Sequence, residues 1–532
     1  MARTGPRPQP TRVEHLHTTL TDCPECGRPL RPVYCNRRSV STLTDVVRLI
    51  LHIRRCHHSD CSRWLKPYRP EQEARYALPQ HEFGLDVIAL VGSLRHAEHR
   101  SIPEIHQQLV ARGLVVCERT VTNLLERYDE LLAVTLTDNR RLQRLLAGQG
   151  RILLAIDGLQ PDVGHEVLWV LRDCLSGEVL LARSLLSGRQ QDLVTLLQEV
   201  KDGLTIPIQG VVSDGQHSIR KAVAEALPGV PHQLCHFHYL REAAKPIYEA
   251  DRNAKKELKK HVRGVRPIER KLEDRTDPEA EVIRGYCDAI RSAVTDDGRP
   301  PLEAPGLKLQ ERLSDIAASL ERVAEKRELP RELQRVKKLV DKGLKATATL
   351  WPALVLVYGW VWKAAHILGD KGASNAQQAR RQLGGLLGAL TCRAESAGRL
   401  AGAVRKFIKV TRSYWAGLFH YYDVADLPRT NNDLEQYFGR HRYHERRCSG
   451  RKCASPGLVL RGEARLLAAA ATRQRRYSAE ELSQADEGQR QQLQERLESR
   501  RLRRVNRYRF RRDPKAYLLN LEEKLLQSTL LS

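Results

Sequence analysis

The sequence predicts a multidomain chain that combines an α/β domain, built on a mixed sheet, with all-helical parts. Three observations lead to this fold class. The chain has 532 residues, more than one ordinary hydrophobic core accommodates. Its hydrophobic pattern changes from helical to strand-like at Arg151. From Ala243 to Tyr422 strand patterns nearly vanish and charged amphipathic stretches replace them, which predicts a large helical insertion.

The first element after a Pro- and Arg-rich N-terminus is a cysteine-rich module. Cys23 and Cys26 form one pair of candidate ligands, and Cys56 and Cys61 form a second. Two such pairs, with two to four residues between partners, suit a tetrahedral structural Zn²⁺ site. We therefore predict a zinc ribbon that binds its ion through these four thiolates. Other candidate ligands remain open, namely His57, His58 and Cys35.

The next segment predicts a helix-turn-helix. Ser101 can cap a helix over Ile102 to Ala111, and Glu104 completes a capping box. Gly113 supplies the turn before a second helix that starts at Glu118. Such modules read bases with the exposed face near the start of the second helix. The candidate DNA contacts there are Arg119, Thr120, Thr122 and Asn123. A plain helical hairpin would give the same pattern.

The α/β domain carries two acidic residues beside apolar runs. Asp157 follows Ile152 to Ile156 and is expected to end the first strand, and Asp214 ends the fourth. In a mixed sheet of this order the two strands can lie side by side and parallel, which would bring both carboxylates to one edge. Two carboxylates at one edge repel each other unless a cation lies between them, and Mg²⁺ is bound by such groups.

A third acidic residue, Glu435, lies on a helix predicted over Asn431 to Phe438. Three carboxylates can hold two metal ions about 3.5–4 Å apart, one for the attacking oxygen and one for the leaving oxygen. Each residue also has an ordinary explanation taken singly. Asp157 can belong to a turn, Asp214 can cap a helix, and Glu435 can be a solvated surface residue. Their order and spacing together favour the metal site.

The charge of the chain favours a polyanionic partner. The formal net charge is +25, from 89 Lys and Arg against 64 Asp and Glu. The excess is clustered, since Arg500 to Arg512 contains eight arginines with Tyr508 and Phe510 between them. Phosphate backbones favour such clusters, because each neutralised phosphate releases counterions. A basic surface that serves only solubility is the alternative.

The domain boundaries follow from these patterns. They are a flexible N-terminus at 1–20, a zinc-ribbon-like module at 21–75, a helical DNA-binding domain at 80–145, the first part of the catalytic core at 150–242, the helical insertion at 243–425, a helix that completes the core at 426–460 and a basic helical tail at 461–532.

Four short segments resemble the catalytic signatures of DDE transposases with an RNase H-like fold. They are Ala155-Ile-Asp157-Gly158, Val212-Ser-Asp214-Gly215, Cys235-His-Phe-His238 and Thr430-Asn-Asn-Asp-Leu-Glu435-Gln-Tyr-Phe. The resemblance is greatest to bacterial insertion-sequence enzymes of the Mutator-like group, and it covers roughly residues 20 to 460. The helical insertion, the zinc ribbon and the helix-turn-helix are similar to what that family contains.

The resemblance implies a function. Asp157, Asp214 and Glu435 would bind two Mg²⁺ or Mn²⁺ ions, water would attack a phosphodiester at the element end, and the freed 3′-hydroxyl would attack target DNA. The partners would be double-stranded element ends and target DNA, with a dimer or larger assembly forming on DNA. Cys235 and His238 are expected to pack or hydrogen-bond beneath the active site, or to contact DNA. Asp433 is a rival of Glu435 but lies on another face of its helix.

A cytoplasmic protein is expected. Twelve cysteines in a chain of this length are no disulfide scaffold, and Met1 to Glu14 contains no apolar signal sequence. Ala346 to Trp362 lacks charged residues but is shorter than a membrane span. A non-catalytic regulator derived from a transposase and another RNase H-like nuclease remain alternative functions. A second zinc site is conceivable at Cys448 and Cys453 with His441 and His444 nearby, but the spacing is irregular and these residues stay unassigned.

Overall fold

The structure is a computed structural model that describes residues 8–162, 164–369 and 375–529. The fold is mixed α/β, with both parallel and antiparallel strand pairs. The chain divides into two compact units. Unit 1 comprises Met1–Pro207 together with Asn432–Ser532, and unit 2 is Ile208–Asn431.

Unit 1 begins with a small sheet. Strand β3 pairs in parallel with β1 and antiparallel with β2 and β4. The strands are β1 (Arg12–His17), β2 (Arg31–Ser41), β3 (Val46–Arg55) and β4 (Pro67–Tyr68). Alternate residues of β3, including Val47, Leu49 and Leu51, are fully buried. The flexible segment predicted at 1–20 therefore needs correction, because β1 lies within it; residues 1–7 lie outside the described residues.

The rest of the N-terminal part of unit 1 consists of helices and a three-stranded meander. Strand β6 pairs antiparallel with both β5 and β7. The elements are α1 (Glu73–Tyr76), α2 (Leu85–His96), α3 (Ile102–Ala111), α4 (Glu118–Leu136), α5 (Asn139–Ala147), β5 (Ile152–Leu159), β6 (Val167–Asp173), β7 (Val179–Leu185) and α6 (Gln190–Gly203). Consecutive residues from Ile152 to Ile156 are buried, so β5 is covered on both faces.

Unit 2 starts with two parallel strands and continues as a helical array. Its elements are β8 (Ile208–Ser213), α7 (His217–Ala226), β9 (His232–Leu234), α8 (His236–Ala243), α9 (Lys245–Val262), α10 (Val265–Arg270), α11 (Pro278–Thr295), α12 (Pro305–Ala324), α13 (Arg331–Thr347), α14 (Trp351–Ile367), α15 (Ala376–Arg393), α16 (Ala401–Tyr414) and α17 (His420–Asp423). The long amphipathic stretch at 307–339 forms two helices, because Pro330 interrupts it. One hydrophobic core runs through these helices.

One helical run in unit 2, Arg331–Ile367, is long and apolar enough by length and composition to cross a membrane. Its side chains Leu354, Tyr358 and Val361 belong to the hydrophobic core. A single such run is weak evidence for a membrane span, since a core helix of a globular protein has the same composition. One face of this run therefore lies in the core of unit 2, whereas Val355 and Trp362 on it are exposed.

The C-terminal helices return to unit 1. They are α18 (Asn432–Ser449), α19 (Pro456–Gln474), α20 (Ala479–Ser483), α21 (Glu487–Arg512) and α22 (Pro514–Thr529). Helix α19 packs along α4, and buried ion pairs join the two: Arg465 Nε lies 3.1 Å from Asp129 Oδ2, and Arg461 contacts Glu130. The segment predicted as a basic tail therefore begins as part of the core of unit 1.

Candidate functional site

Four cysteines converge at one end of the N-terminal sheet. Cys23 and Cys26 lie in the turn before β2, and Cys56 and Cys61 follow β3. Cys23 Sγ lies 3.8 Å from Cys61 Sγ, and Cys26 Sγ lies 3.6 Å from Cys56 Sγ. Tetrahedral coordination with Zn–S bonds of about 2.3 Å places sulfur atoms about 3.8 Å apart. These four sulfurs therefore have the spacing of a structural zinc site, as the sequence predicts.

Hydrogen bonds around these four cysteines, the cysteine tetrad, hold the first turn closed and favour the thiolate form of Cys23. Gly27 has a φ of +66°, and its N–H donates to the Cys23 carbonyl at 2.8 Å, which closes the first turn. Tyr68 lies 3.1 Å from Cys23 Sγ, and this hydrogen bond lowers the pKa of Cys23 to about 6. Cys35 is not part of the tetrad, because it is exposed on β2 and contacts His52 Nδ1 at 3.3 Å.

Two of the three predicted catalytic carboxylates lie in unit 1, Asp157 on β5 and Glu435 in the first turn of α18. Helix α18 packs against β5. Asp157 is paired with Val170 of β6, and its Oδ1 accepts a hydrogen bond from the Gly158 N–H at 2.8 Å. The prediction that Asp157 ends its strand is wrong. The strand continues to Leu159, because the side chain of Leu159 is buried and extends the apolar pattern.

The first half of α18 presents two acidic residues in different surroundings. Glu435 is half-buried, whereas Asp433 is exposed. The carboxylate of Asp433 lies near Cys174, whose pKa is raised to about 12 by burial, by Asp173 and by Asp433. One turn further, Tyr437 lies beneath the Arg172 guanidinium, 5.5 Å from the ring centre. Asp433 and Tyr437 thus lie near the C-terminal end of β6.

Asp214 lies in unit 2, directly after β8. Its Oδ1 accepts a hydrogen bond from the Gln216 N–H at 2.9 Å. Gly215 has a φ of +84°, a conformation that a side chain disfavours. The Tyr414 hydroxyl lies 3.3 Å from the Asp214 carbonyl oxygen and donates to the Glu242 carboxylate at 2.8 Å. The turn that presents Asp214 is therefore held against α16.

Asp214 lines a cleft of about 630 Å³ within unit 2. Arg220 is fixed in its wall, since the guanidinium stacks on the Tyr414 ring at 4.1 Å and donates to the Ser413 carbonyl at 2.8 Å. The other charged side chains of the wall are Arg241, Glu242, Lys245, Glu249 and Arg252. With Asp214 included, four basic and three acidic side chains line the cleft, and Arg220 is the basic group that the structure holds in place beside Asp214.

Cys235 and His238 flank the same region of unit 2. Cys235 is fully buried, and its N–H donates to the Ser213 carbonyl at 2.8 Å. The Asn431 N–H donates to Cys235 Sγ at 3.3 Å. Cys235 therefore connects the residue before Asp214 with the last residue before α18, a packing role. His238 contributes to the wall of the cleft.

The predicted helix-turn-helix consists of α3 and α4, which pack against each other. The capping box of Ser101 and Glu104 is confirmed, and Gly113 adopts a φ of +81° in the turn. Ser101 and Glu104 therefore determine where α3 begins, and Gly113 permits the turn after it ends.

The predicted DNA contacts on α4 differ in exposure. Arg119 and Asn123, one turn apart, are exposed, whereas Thr120 and Thr122 are half-buried. The Thr122 hydroxyl donates to the Glu118 carbonyl at 3.0 Å, and Thr120 contacts Cys117 Sγ at 3.3 Å. The two threonines are thus engaged within the helix, and the outward-facing pair is Arg119 and Asn123.

A second group of metal-ligand residues lies in unit 1 at the C-terminal end of α18. His99, His444 and Cys448 bring ligand atoms within 4.8 Å of one another. We call these three residues the His–Cys cluster. Cys453 is exposed and does not belong to it. The sequence gives no indication of His99 as a ligand, because 345 residues separate it from His444 and no local motif marks it.

Comparison with models of known protein families finds no match to this chain, and comparison with curated proteins finds none either.

Proposed function

We propose that this chain is a DDE transposase of a bacterial insertion sequence, with an RNase H-like catalytic domain in which Asp157, Asp214 and Glu435 act together. The observation that carries the proposal is the packing of α18 against β5 in unit 1. It associates the helix of Glu435 with the strand of Asp157, although about 280 residues separate them along the chain. Unit 2 supports the proposal by presenting Asp214 at the end of a short buried strand, in a cleft that Arg220 also lines.

The donor chemistry fits the proposed cofactor. Three carboxylates are the ligands that Mg²⁺ or Mn²⁺ prefers, and each of the three belongs to a different regular element or to the turn that follows one. When bound, a pair of such ions activates the attacking oxygen and stabilises the leaving oxygen of an in-line displacement.

The remaining roles belong to the residues of the chain. Arg220, held by Tyr414 and Ser413, positions a phosphate beside Asp214. Cys235 keeps the connection from unit 2 into α18 in place through its hydrogen bond with Asn431. Outside the cleft, Arg119 and Asn123 contact bases at the element ends.

The proposed partners are double-stranded element ends and target DNA, bound by a dimer or larger assembly in the cytoplasm. Helix α21 supports DNA binding, because its C-terminal half exposes Tyr508 and Phe510 among closely spaced arginines. Such a surface neutralises phosphates along a duplex.

The proposal is tested by two carboxylate substitutions and a matched control. Asp214→Asn and Glu435→Gln remove a metal ligand with little change in shape, so strand transfer of labelled element ends should fall at least about a hundredfold. Binding to the ends, measured by gel shift, should be retained. Asp433→Asn removes an exposed carboxylate from the same helical turn and should retain strand transfer.

The outcomes separate the alternative functions. Strand transfer that persists in Asp214→Asn contradicts the proposal. A wild-type chain that binds ends without cutting them is a DNA-binding regulator derived from a transposase. Cleavage without a joined product in a target plasmid indicates another RNase H-like nuclease.

A further inference from the structure

The C-terminal half of α18 carries three metal-ligand residues on one face. His441, His444 and Cys448 are spaced by three and four residues, so their side chains project in the same direction. All three are buried. His99, in the loop between α2 and α3, faces them: its Nδ1 lies 2.7 Å from His444 Nδ1. Cys448 Sγ lies 3.5 Å from the same nitrogen.

A chain of hydrogen bonds fixes the tautomer of His444. Asp129 Oδ1 lies 2.8 Å from His96 Nε2, so this nitrogen carries the proton and donates. His96 Nδ1 is then an acceptor, and His444 Nε2, 3.1 Å away, donates to it. With its proton on Nε2, a neutral His444 directs the lone pair of Nδ1 toward His99, whereas Cys448 Sγ lies 3.5 Å from Nδ1 and 3.7 Å from Nε2.

The hydrogen-bond chain from Asp129 through His96 to His444 resembles the contacts that orient a histidine ligand in metal sites. A ligating histidine donates its second N–H to a carboxylate or carbonyl, which sets the ring orientation and raises its basicity. Here Asp129 performs this role for His444 through His96. The separation of 3.5 Å between Cys448 Sγ and His444 Nδ1 matches a tetrahedral zinc site, in which Zn–S and Zn–N bonds place the two atoms about 3.5 Å apart. The 2.7 Å between the Nδ1 atoms of His99 and His444 is shorter than the roughly 3.3 Å between two nitrogen ligands, so the His99 ring has to move by about half an ångström when the ion binds.

Two further features lie beside these three residues. His441 is fully buried, and neither of its ring nitrogens has a hydrogen-bond partner among the described residues. Leaving buried polar atoms unsatisfied costs about 1–3 kcal/mol each, so such groups need an explanation. His99 has a φ of +58°, a conformation rare for residues other than glycine and associated with functional sites.

The competing explanation is a purely hydrogen-bonded cluster. Cys448 Sγ lies 3.5 Å from the Arg95 carbonyl oxygen, to which its S–H donates. Burial raises the pKa of Cys448 to about 11, which favours the thiol in the absence of a cation. A divalent ion reverses this preference, because a coordinated thiol loses its proton. The two explanations therefore differ in metal content.

We propose that His99, His444 and Cys448 bind a second structural Zn²⁺ ion, which fastens the C-terminal end of α18 to the loop between α2 and α3. His441 lies on the same face of α18, with its ring 6.2 Å from that of His444, centre to centre, but it is not one of the residues whose ligand atoms lie within 4.8 Å of one another. The ion is independent of the cysteine tetrad and of the proposed catalytic ions. It stabilises the helix that carries Glu435 at its other end.

Metal analysis of the full-length protein tests this proposal. After purification with zinc and removal of loosely bound ions, the wild-type chain should retain two zinc ions, and Cys448→Ser and His99→Gln should each retain one. Cys453→Ser is the matched control, since Cys453 is exposed five residues further on, and it should retain two. Cys23→Ser should also retain one, through loss of the ion in the cysteine tetrad.

Further measurements keep the test decisive if Cys448→Ser folds poorly. His99 is only half-buried, so His99→Gln leaves the core intact, and His99→Cys should restore the second ion by supplying another ligand. Zinc K-edge absorption of the wild-type protein should show nitrogen as well as sulfur neighbours. One zinc ion with sulfur neighbours alone in the wild type, or unchanged zinc content in His99→Gln and Cys448→Ser, would overturn the proposal.

Discussion

At the scale of single residues, the turn after β8 shows how tightly the surroundings of a candidate catalytic carboxylate are constrained. Gly215 follows Asp214 in the left-handed region of backbone conformation. A Cβ atom at this position would lie 2.6 Å from Cε1 of Tyr414. The same ring supports Arg220 and lies beside the Asp214 carbonyl. The glycine therefore permits both the turn and the close approach of α16.

Gly215→Ala should destabilise the chain more than Gly229→Ala does. Gly229 has a similar φ of +81°, but a Cβ atom there would meet nothing within 4 Å, so that variant reports the backbone cost alone, about 1–2 kcal/mol. Gly215→Ala adds a clash worth about 1–3 kcal/mol. Thermal unfolding of both full-length variants measures the difference. Equal shifts in Tm would show that Tyr414 does not constrain the turn.

Residues with a local signature could be predicted from the sequence, and residues without one could not. The cysteine tetrad was recognisable because each pair lies within a few residues, in a turn that its own glycine or backbone hydrogen bonds close. His99 has no such signature. Its position beside His444 depends on the packing of segments that are distant along the chain, and a lone histidine in a loop gives no indication of that packing.

At the scale of elements, α4 and α19 are joined through charges that are removed from water. Asp129 is fully buried between His96 Nε2 at 2.8 Å and Arg465 Nε at 3.1 Å. Burial alone would raise its pKa, but Arg465 and His96 outweigh this effect and hold the pKa at about 2. Because a buried carboxylate needs such partners, this ion pair fixes how α19 packs on α4.

Arg465→Met should destabilise unit 1 by about 3–5 kcal/mol, because it leaves the buried Asp129 charge without its main partner. Arg501→Met is the matched control. Arg501 pairs with Glu498 on the exposed face of α21, and exposed pairs contribute about 0–1 kcal/mol. Differential scanning calorimetry of the full chain compares the two. A similar effect of both substitutions would contradict the structural role of the buried pair.

Elements with strong hydrophobic periodicity were predictable, and those formed by tertiary pairing were not. The apolar runs of β5 and β8 and the capped start of α3 identified these elements from the sequence. Strand β1 was missed, because most of its residues are exposed and its pairing partner β3 follows about thirty residues later. The extension of β5 through Asp157 and Gly158 was missed because a polar residue and a glycine normally indicate the end of a strand.

At the scale of the whole molecule, the composition predicts a polyanionic partner. Part of the net charge of +25 comes from exposed arginines on α21, and basic residues also line the cleft of Asp214. The mixed α/β class with a cysteine tetrad follows from patterns in the sequence. Hydrophobic periodicity does not show whether Asp157, Asp214 and Glu435 converge, because their positions depend on long-range packing. Their convergence is the central proposal.

The most direct test of that proposal is a crystal structure of the chain with DNA ends and Mn²⁺, in which anomalous scattering locates the ions. We expect Mn²⁺ bound by Asp157, Asp214 and Glu435 at the scissile phosphate, and no such ion in Asp214→Asn. Ions bound elsewhere, with the three carboxylates apart from one another and from the DNA, would contradict the proposal.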